Sequence, residues 1–419
     1  MSSKQAKAIL EGAFNAAVAK VTAYDFTGYL PEPGAGRTLV LGAGKAAAGM
    51  AAALDAQWPA ELEGEVVTRY GHTVPNRRIQ VTEARHPTPD DAGEAAARRF
   101  IEAASQLTED DLLIVLLSGG ASSLLPLPFP GLTLANKQAL TRALLASGAQ
   151  IEEINCVRKH LSQIKGGRLA AAAHPAQVIT LAVSDVVGDD PAVIGSGPTT
   201  PDPTTLADAR GILARYSIDA DDEVARALNT PANESPDEQF WSGTTHIVAT
   251  PMEAIDAAAG WARVHGVTPI SLGDAFEGDI DAAVAAHIDK ARNHDGPTLL
   301  ISGGELTVNL KGDGVGGPNT EFALRLAVAL EGNKDLHALI VDTDGSDGSG
   351  DNAGAFITPD TLARANALDL NAADALSRND TYPFFEQLGD LLITGPTQTN
   401  VNDLRLLLIA SPEQLARLS

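Results

Sequence analysis

The sequence predicts two α/β domains, the N-terminal one with a mainly parallel sheet and the C-terminal one with a mixed sheet. Three observations carry that reading. Apolar runs of strand length alternate with alanine-rich helical stretches through nearly the whole chain, the pattern of parallel sheets covered by helices. A chain of 419 residues exceeds one ordinary hydrophobic core. The alternation also restarts after a polar, two-proline segment at 229–238, the best linker, so that residues 1–235 and 240–419 are the expected domains.

In the N-terminal half, strands are predicted at 37–41, 65–70, 79–84, 111–117 and 177–184. Helices are predicted at 3–21, 45–57, 90–106, 133–147 and 204–216, with a helical region at 151–173 broken by Gly166-Gly167. In that region Ile154, Val157, Leu161 and Ile164 form a core stripe, and Arg158 and Lys165, seven apart, are expected on one face. His160 and His86 are read as structural. The C-terminal half has strands at 245–249, 268–272, 298–301 and 338–342 and helices at 252–264, 279–293 and 319–330. A hairpin around 305–310 and two last strands near 391–394 and 404–409 make its sheet mixed.

Composition narrows the function. With 44% hydrophobic and 20% charged residues the chain is globular. Its formal net charge of −24 argues against nucleic-acid and anionic-membrane partners, and any anionic substrate must be met by local lysines and arginines. A single cysteine, Cys156, excludes an internal disulfide and fits a reducing compartment. The N-terminus has no apolar signal-like stretch, and no apolar run reaches the roughly 18 residues that span a bilayer. A cytoplasmic location is therefore expected.

Three glycine-rich turns follow apolar strands, where backbone N–H groups can meet an anion. The first, Leu41-Gly42-Ala43-Gly44-Lys45-Ala46-Ala47, has the G-x-G-x-x-A spacing of a Rossmann-like dinucleotide turn. The acid expected at the end of the next strand is missing; that strand ends Thr68-Arg69-Tyr70, where an arginine could suit a 2′-phosphate. Lys45 inside the turn suits a point charge on a moving phosphoryl group. The second turn, Ser118-Gly119-Gly120-Ala121-Ser122-Ser123, adds three hydroxyls, and the third, Ser302-Gly303-Gly304-Glu305, adds a carboxylate. No Walker A loop, Cys/His cluster, H-E-x-x-H or G-x-S-x-G motif occurs.

Carboxylates stand where a ligand cation or an acidic proton would need them. Asp185 and Asp189 follow the strand at 177–184, at the strand end where open α/β sheets bind ligands; they are candidates for Mg²⁺ or for a base taking a hydroxyl proton. An acidic loop at 341–351 and the glycine turn leading into Asn319 mark further strand and helix ends.

Together these strings resemble the type-2 glycerate kinases, the glycerate 2-kinase or MOFRL family, whose members have also borne the label hydroxypyruvate reductase. The resemblance runs through Gly42-Ala-Gly-Lys45, His86-Pro-Thr-Pro, Ser118 to Ser123, Val157 to Leu161, Ile164 to Arg168 and Ser184 to Asp189. It continues through Gly195 to Pro198, Ser302 to Glu305, Asp344 to Gly348, Thr394 to Thr397 and Asn400 to Leu404. It implies ATP-dependent phosphorylation of D-glycerate at the 2-hydroxyl, with Mg²⁺, in a cleft between two α/β domains. That makes Lys45 the active-site lysine; from the residues themselves Arg158, a basic group in an acidic chain, is the candidate to hold a substrate carboxylate or phosphate, and Asp185 is the other catalytic candidate. Gly42, Gly44, Ser118, Gly119, Gly120, Ser122, Ser123, Gly303, Gly304, Glu305 and Asn319 would bind nucleotide phosphate, and Asp185 and Asp189 metal. The implied partners are D-glycerate and ATP, with a homodimer left open. The rival is an NAD(P)H-dependent hydroxypyruvate reductase, motivated by the G-x-G-x-x-A turn. One departure stands out: where family members often read Gly-Gly-Arg-Asn-Gln-Glu, this chain reads Gly316-Gly317-Pro318-Asn319-Thr320-Glu321, so that either a residue such as Arg158 or Arg325 compensates or the arginine is dispensable.

Overall fold

The computed structural model describes residues 2–418 except 238, 239, 241, 242, 293, 295, 309, 310, 331, 332 and 349. The ends of the expected linker at 238, helix at 293 and hairpin at 309–310, position 349 of the acidic loop, and termini 1 and 419 lie outside the described residues.

The chain forms two compact units, Tyr24–Val248 and Met1–Ala23 with Ala249–Ser419. The first carries strands β1 (Thr38–Ala43), β2 (Glu63–Arg69), β3 (Ile79–Ala84), β4 (Leu112–Leu117), β5 (Gln177–Val183) and β6 (Gly243–Ala249). They lie in the order β3-β2-β1-β4-β5-β6, with β1 parallel to both β2 and β4, β2 parallel to β3 and β4 parallel to β5. β4 reads LLIVLL and is buried at every position, as a strand covered on both faces must be. Helix Asp91–Ala104 packs Ala96, Ala97 and Phe100 into the same core as Leu41, Val115 and Leu117. Helices Leu134–Ala146, Ile151–Lys159, Leu206–Arg215 and Asp222–Leu228 build a separate helical core around Leu140, Leu144, Ile154, Val157, Leu206 and Leu213.

The second unit carries β7 (Thr268–Ser271), β8 (Gly278–Asp279), β9 (Thr298–Ser302), β10 (Leu306–Thr307), β11 (Leu336–Asp342), β12 (Gly354–Ile357), β13 (Leu391–Leu392) and β14 (Asp403–Ile409). Its main sheet runs β13-β12-β11-β14-β9-β7 and is mixed as expected: β7 and β9 are parallel, the other pairs antiparallel. Phe322, Leu326 and Phe385 from the covering helices fill its core with Leu300, Ile340 and Leu407. No helix among the described residues is long and apolar enough to cross a membrane.

Three expectations need correction. The compact units do not divide at 235–240. Strand β6 is hydrogen-bonded to β5 at the edge of the first sheet, and helix Ser2–Thr22 belongs to the second unit. That helix packs on Pro251–Val264, so closely that a Cβ on Gly12 would lie 2.3 Å from the Trp261 ring. Among the described residues of the segment around 305–310 there is no hairpin: β10 pairs in parallel with β8. The helical face meant to hold both Arg158 and Lys165 does not exist either, because the helix ends at Lys159 and the next begins at Arg168. Gly166 and Gly167 turn the chain there with φ of 58° and 78°, which a side chain disfavours. The apolar stripe divides with it: Ile154, Val157 and Leu161 join the helical core and Ile164 the sheet core.

Candidate active site

β1 is bonded to β2 on one side and to β4 on the other, so the chain leaves the sheet in opposite directions at the ends of β1 and β4. Such a switch point opens a crevice at the strand ends. The first two glycine turns flank it and are locked together: Lys45 N–H donates to the Gly119 carbonyl at 2.9 Å and Ala46 N–H to Ser118 Oγ at 3.0 Å. The glycines of the first turn serve this close approach. A Cβ on Gly42 would meet the Leu116 carbonyl at 2.5 Å, and one on Gly44 would meet Ser118 Oγ at 2.1 Å. Gly44 and Ala47 N–H donate to the Val67 and Gly44 carbonyls. Four consecutive N–H groups are thus spent inside the protein. What this turn offers a ligand is the half-buried Lys45 side chain rather than the backbone cradle expected at Gly42 and Gly44.

The second turn opens onto a cavity of about 520 Å³ lined by His86, Gly120, Ser122, Ser123, Lys137, Arg142, Arg158 and Lys165, among others. No aspartate or glutamate is among the described residues that line it. Ser122 is its hub. Arg158 Nη2 donates to Ser122 Oγ at 2.7 Å, Lys165 Nζ donates to Ser122 O at 2.6 Å and Oγ at 3.1 Å, and Ser196 Oγ lies 2.9 Å from Ser122 Oγ. Arg158 and Lys165 therefore meet through the Gly-Gly turn, not along a helix. Burial, with Arg158 and Lys137 nearby, holds the Lys165 ammonium well below the usual lysine range, and burial also lowers Arg158. Lys137 is pushed down to about 7, by burial first and then by Arg158 and Arg168. Such a cluster costs folding free energy unless an anion joins it.

Gly120 has φ of 85°, and a Cβ there would lie 3.0 Å from His86 Cδ2 and 3.5 Å from Lys45 Cγ. This places the Lys45 side chain next to the cavity's rim, and His86, read as structural, in its wall. His160 keeps its structural role, with Nδ1 at 2.9 Å from the Cys156 carbonyl and Nε2 at 3.2 Å from Ser235 Oγ. Asp185 is half-buried just beyond β5, the neighbour of β4. Asp189 sits in the left-handed region with φ of 55°, its Oδ1 buried without a hydrogen-bond partner among the described residues.

The second unit's candidate residues are tied into that unit. Gly303 N–H donates to the Gly273 carbonyl, and the Gly303 and Gly304 carbonyls accept from the fully buried Arg405 at 2.9 and 3.2 Å. Asn319 Nδ2 donates to Asp403 Oδ1 at 2.6 Å, and Arg405 to Asp403 Oδ2 at 2.6 Å. Glu305 is exposed. Pro318 opens helix Pro318–Ala329, a position that suits its missing N–H. Arg325 pairs with Glu321 at 2.7 Å and Asp281 at 2.6 Å, so carboxylates already engage it. Sequence reading missed Lys137. Its one signal is a lysine in the first turn of a helix, just after the Thr133–Asn136 capping box, in a chain poor in lysine.

Residues 5–229 match a domain of unknown function, DUF4147, and residues 298–403 match the MOFRL family. A D-glycerate 2-kinase of Thermotoga maritima is 41% identical, over 91% of this chain and 92% of that protein. The chain belongs to the glycerate 2-kinase, or MOFRL, family. A crystal structure titled glycerate kinase, also from Thermotoga maritima, superimposes with a TM-score of 0.83 at 38% identity, covering 97% of this chain and 99% of that one. An Agrobacterium vitis protein with the provisional name hydroxypyruvate reductase is 49% identical over 96% of this chain and 94% of its own.

Proposed function

We propose that this member of the glycerate 2-kinase family transfers the γ-phosphoryl group of ATP to the 2-hydroxyl of D-glycerate, giving 2-phosphoglycerate and ADP. The observation that carries the reading is the basic cavity built on Ser122 at the end of β4, lined by Lys137, Arg142, Arg158 and Lys165, with Lys45 at its rim. A chain of net charge −24 has reason to gather buried cations only where an anion must be held.

In this reading Arg158 holds the carboxylate of glycerate, and Asp185 takes the proton of the 2-hydroxyl. That oxygen attacks the γ-phosphorus while the bond to the β–γ bridging oxygen breaks. Lys45 neutralises charge on the moving phosphoryl group, and hydroxyls of the Ser118–Ser123 turn meet the phosphate oxygens. A loose transition state needs positioning and charge rather than covalent help. Asp185 and Asp189 would hold Mg²⁺, which when bound shields phosphate charge. Asp189 Oδ1, buried with no hydrogen-bond partner among the described residues, fits an oxygen-ligated cation. No group of three or more His, Cys, Asp or Glu able to hold a metal occurs among the described residues, which suits an ion carried largely by nucleotide phosphates. The buried lone cysteine, Cys156, supports a cytoplasmic location.

The name of the Agrobacterium relative favours a second reading, hydride transfer to hydroxypyruvate. Against it stand the four N–H groups spent within the first turn and the lack of an acid ending β2 at Thr68-Arg69. Purified protein given ATP, Mg²⁺ and D-glycerate should release ADP and 2-phosphoglycerate. Oxidation of NADH or NADPH with hydroxypyruvate, and no glycerate-dependent ADP, would sink the kinase reading.

A further inference from the structure

Lys137 breaks two local rules. Its Nζ is buried with no hydrogen-bond partner among the described residues, although the residue as a whole is half-buried and its stem lines the cavity. It also sits in the first turn of helix Leu134–Ala146, where the helix dipole disfavours a cation. Buried ammonium groups are costly unless paired, and residues that violate local preferences without a structural return mark functional positions. Arg158 and Lys165 share Ser122, whereas Lys137 Nζ has no such partner among the described residues.

We propose that Lys137 is a specificity-determining residue of this cavity, joining Arg158 on the acceptor's carboxylate and selecting hydroxy acids over neutral alcohols. The inference rests on the kinase reading for the identity of the acceptor. The reason for selection is direct: a neutral alcohol would leave the buried ammonium unpaired, a penalty the carboxylate removes. The charged groups facing Lys137 are Glu94 from helix Asp91–Ala104, which favours its protonation, and Arg158 and Arg168, which oppose it; Lys165 and Arg142 line the same cavity, with His86 in the wall. Because the free ammonium titrates near 7, affinity for the acid should weaken as pH rises through that value.

The test uses the full-length protein with Lys137→Met, which keeps the stem, and Lys137→Arg, which keeps the charge. Lys137→Met should raise KM for D-glycerate roughly 10- to 100-fold while KM for ATP stays within about threefold. Lys137→Arg should keep a low glycerate KM and abolish its rise above neutrality. Calorimetric binding of D-glycerate, against glycerol as the neutral control, gives a readout free of turnover. An unchanged glycerate KM or affinity in Lys137→Met overturns the proposal, as does a rise confined to ATP. Should the wild type fail to phosphorylate glycerate, the kinase reading falls. The calorimetry then decides on Lys137 alone: loss of D-glycerate binding in the Met variant upholds the site, and equal or absent binding overturns it. A melting temperature at or above wild type in Lys137→Met separates lost affinity from lost folding.

Discussion

At the residue scale the site is a set of cations with unequal duties. Lys45 stands on a turn whose backbone donors are already used, so its ammonium is what that turn contributes. Lys45→Met should lower kcat by roughly 10²-fold or more with melting unchanged, as expected for a group that acts on charge in the transition state. A stopped assay of ADP release measures it, and near-normal turnover would refute the role. Gly120 is constrained twice, by its positive φ and by His86 at 3.0 Å from a Cβ. Gly120→Ala should cost about 1–3 kcal/mol in urea unfolding and displace Lys45 or His86. Lys45, Ser122 and Arg158 could be singled out in the sequence because each sits in or near a motif. Lys137 could not: a lysine in a helical stretch carries no mark of where its ammonium ends, and only packing shows that it is buried at the cavity wall.

At the scale of elements, helix Pro318–Ala329 shows what local pattern can and cannot convey. Pro318 starts it, but Gly317 has no side chain to cap it. The cap comes from 28 residues away: Asp347 accepts from Asn319 N–H at 2.9 Å, Thr320 N–H at 2.8 Å and Thr320 Oγ1 at 2.7 Å. Asp347→Ala, which strands these donors, should destabilise the protein by about 2–4 kcal/mol in chemical denaturation. Burial pushes Asp347 up to about 6 despite those bonds, and burial does the same to Asp403 against the pull of Arg405. Both folded-state values lie above the ordinary aspartate value of about 3.9, so the folded state binds more protons between about pH 4 and 6. These two groups therefore make stability fall as pH rises through that window. Asp347→Asn should flatten the fall in a series of urea melts, and an unchanged slope would contradict the assignment. The acidic loop was visible as a strand-end feature, but its capping role depends on pairing across the sequence. The same limit explains the misread hairpin at 305–310, where β10 finds β8 rather than its own neighbour.

At the scale of the whole molecule the two sheets were legible, because period and alternation are local, while the ownership of helix Ser2–Thr22 and strand β6 was not. An alanine-rich amphipathic helix covers whichever apolar face is presented to it, and nothing in its spacing names the partner. Here Leu10, Ala13, Phe14 and Ala17 are buried within the second unit, and the helix is fixed by Lys7 to Asp390 at 2.6 Å and Lys20 to Glu253 at 3.1 Å. The first unit, by contrast, holds all six strands of its sheet between residues 24 and 248, apart from the last residue of β6. Residues 24–249 should therefore unfold cooperatively when expressed alone. Residues 250–419 alone should not, since helix Pro251–Val264, with Ala254, Ile255, Ala258 and Ala262 buried, would lose its packing against Ser2–Thr22. Each large apolar side chain left uncovered forfeits about 1.5–3 kcal/mol, and a typical domain has only about 5–15 kcal/mol in hand. Joining residues 1–23 to residue 250 through a flexible linker should restore a cooperative transition. Phe14→Ala in the full chain should cost about 3–5 kcal/mol, felt in the transition of the second unit. If residues 250–419 unfold at the same urea midpoint with and without the helix, its place in that unit's stability is lost, however closely Gly12 meets Trp261.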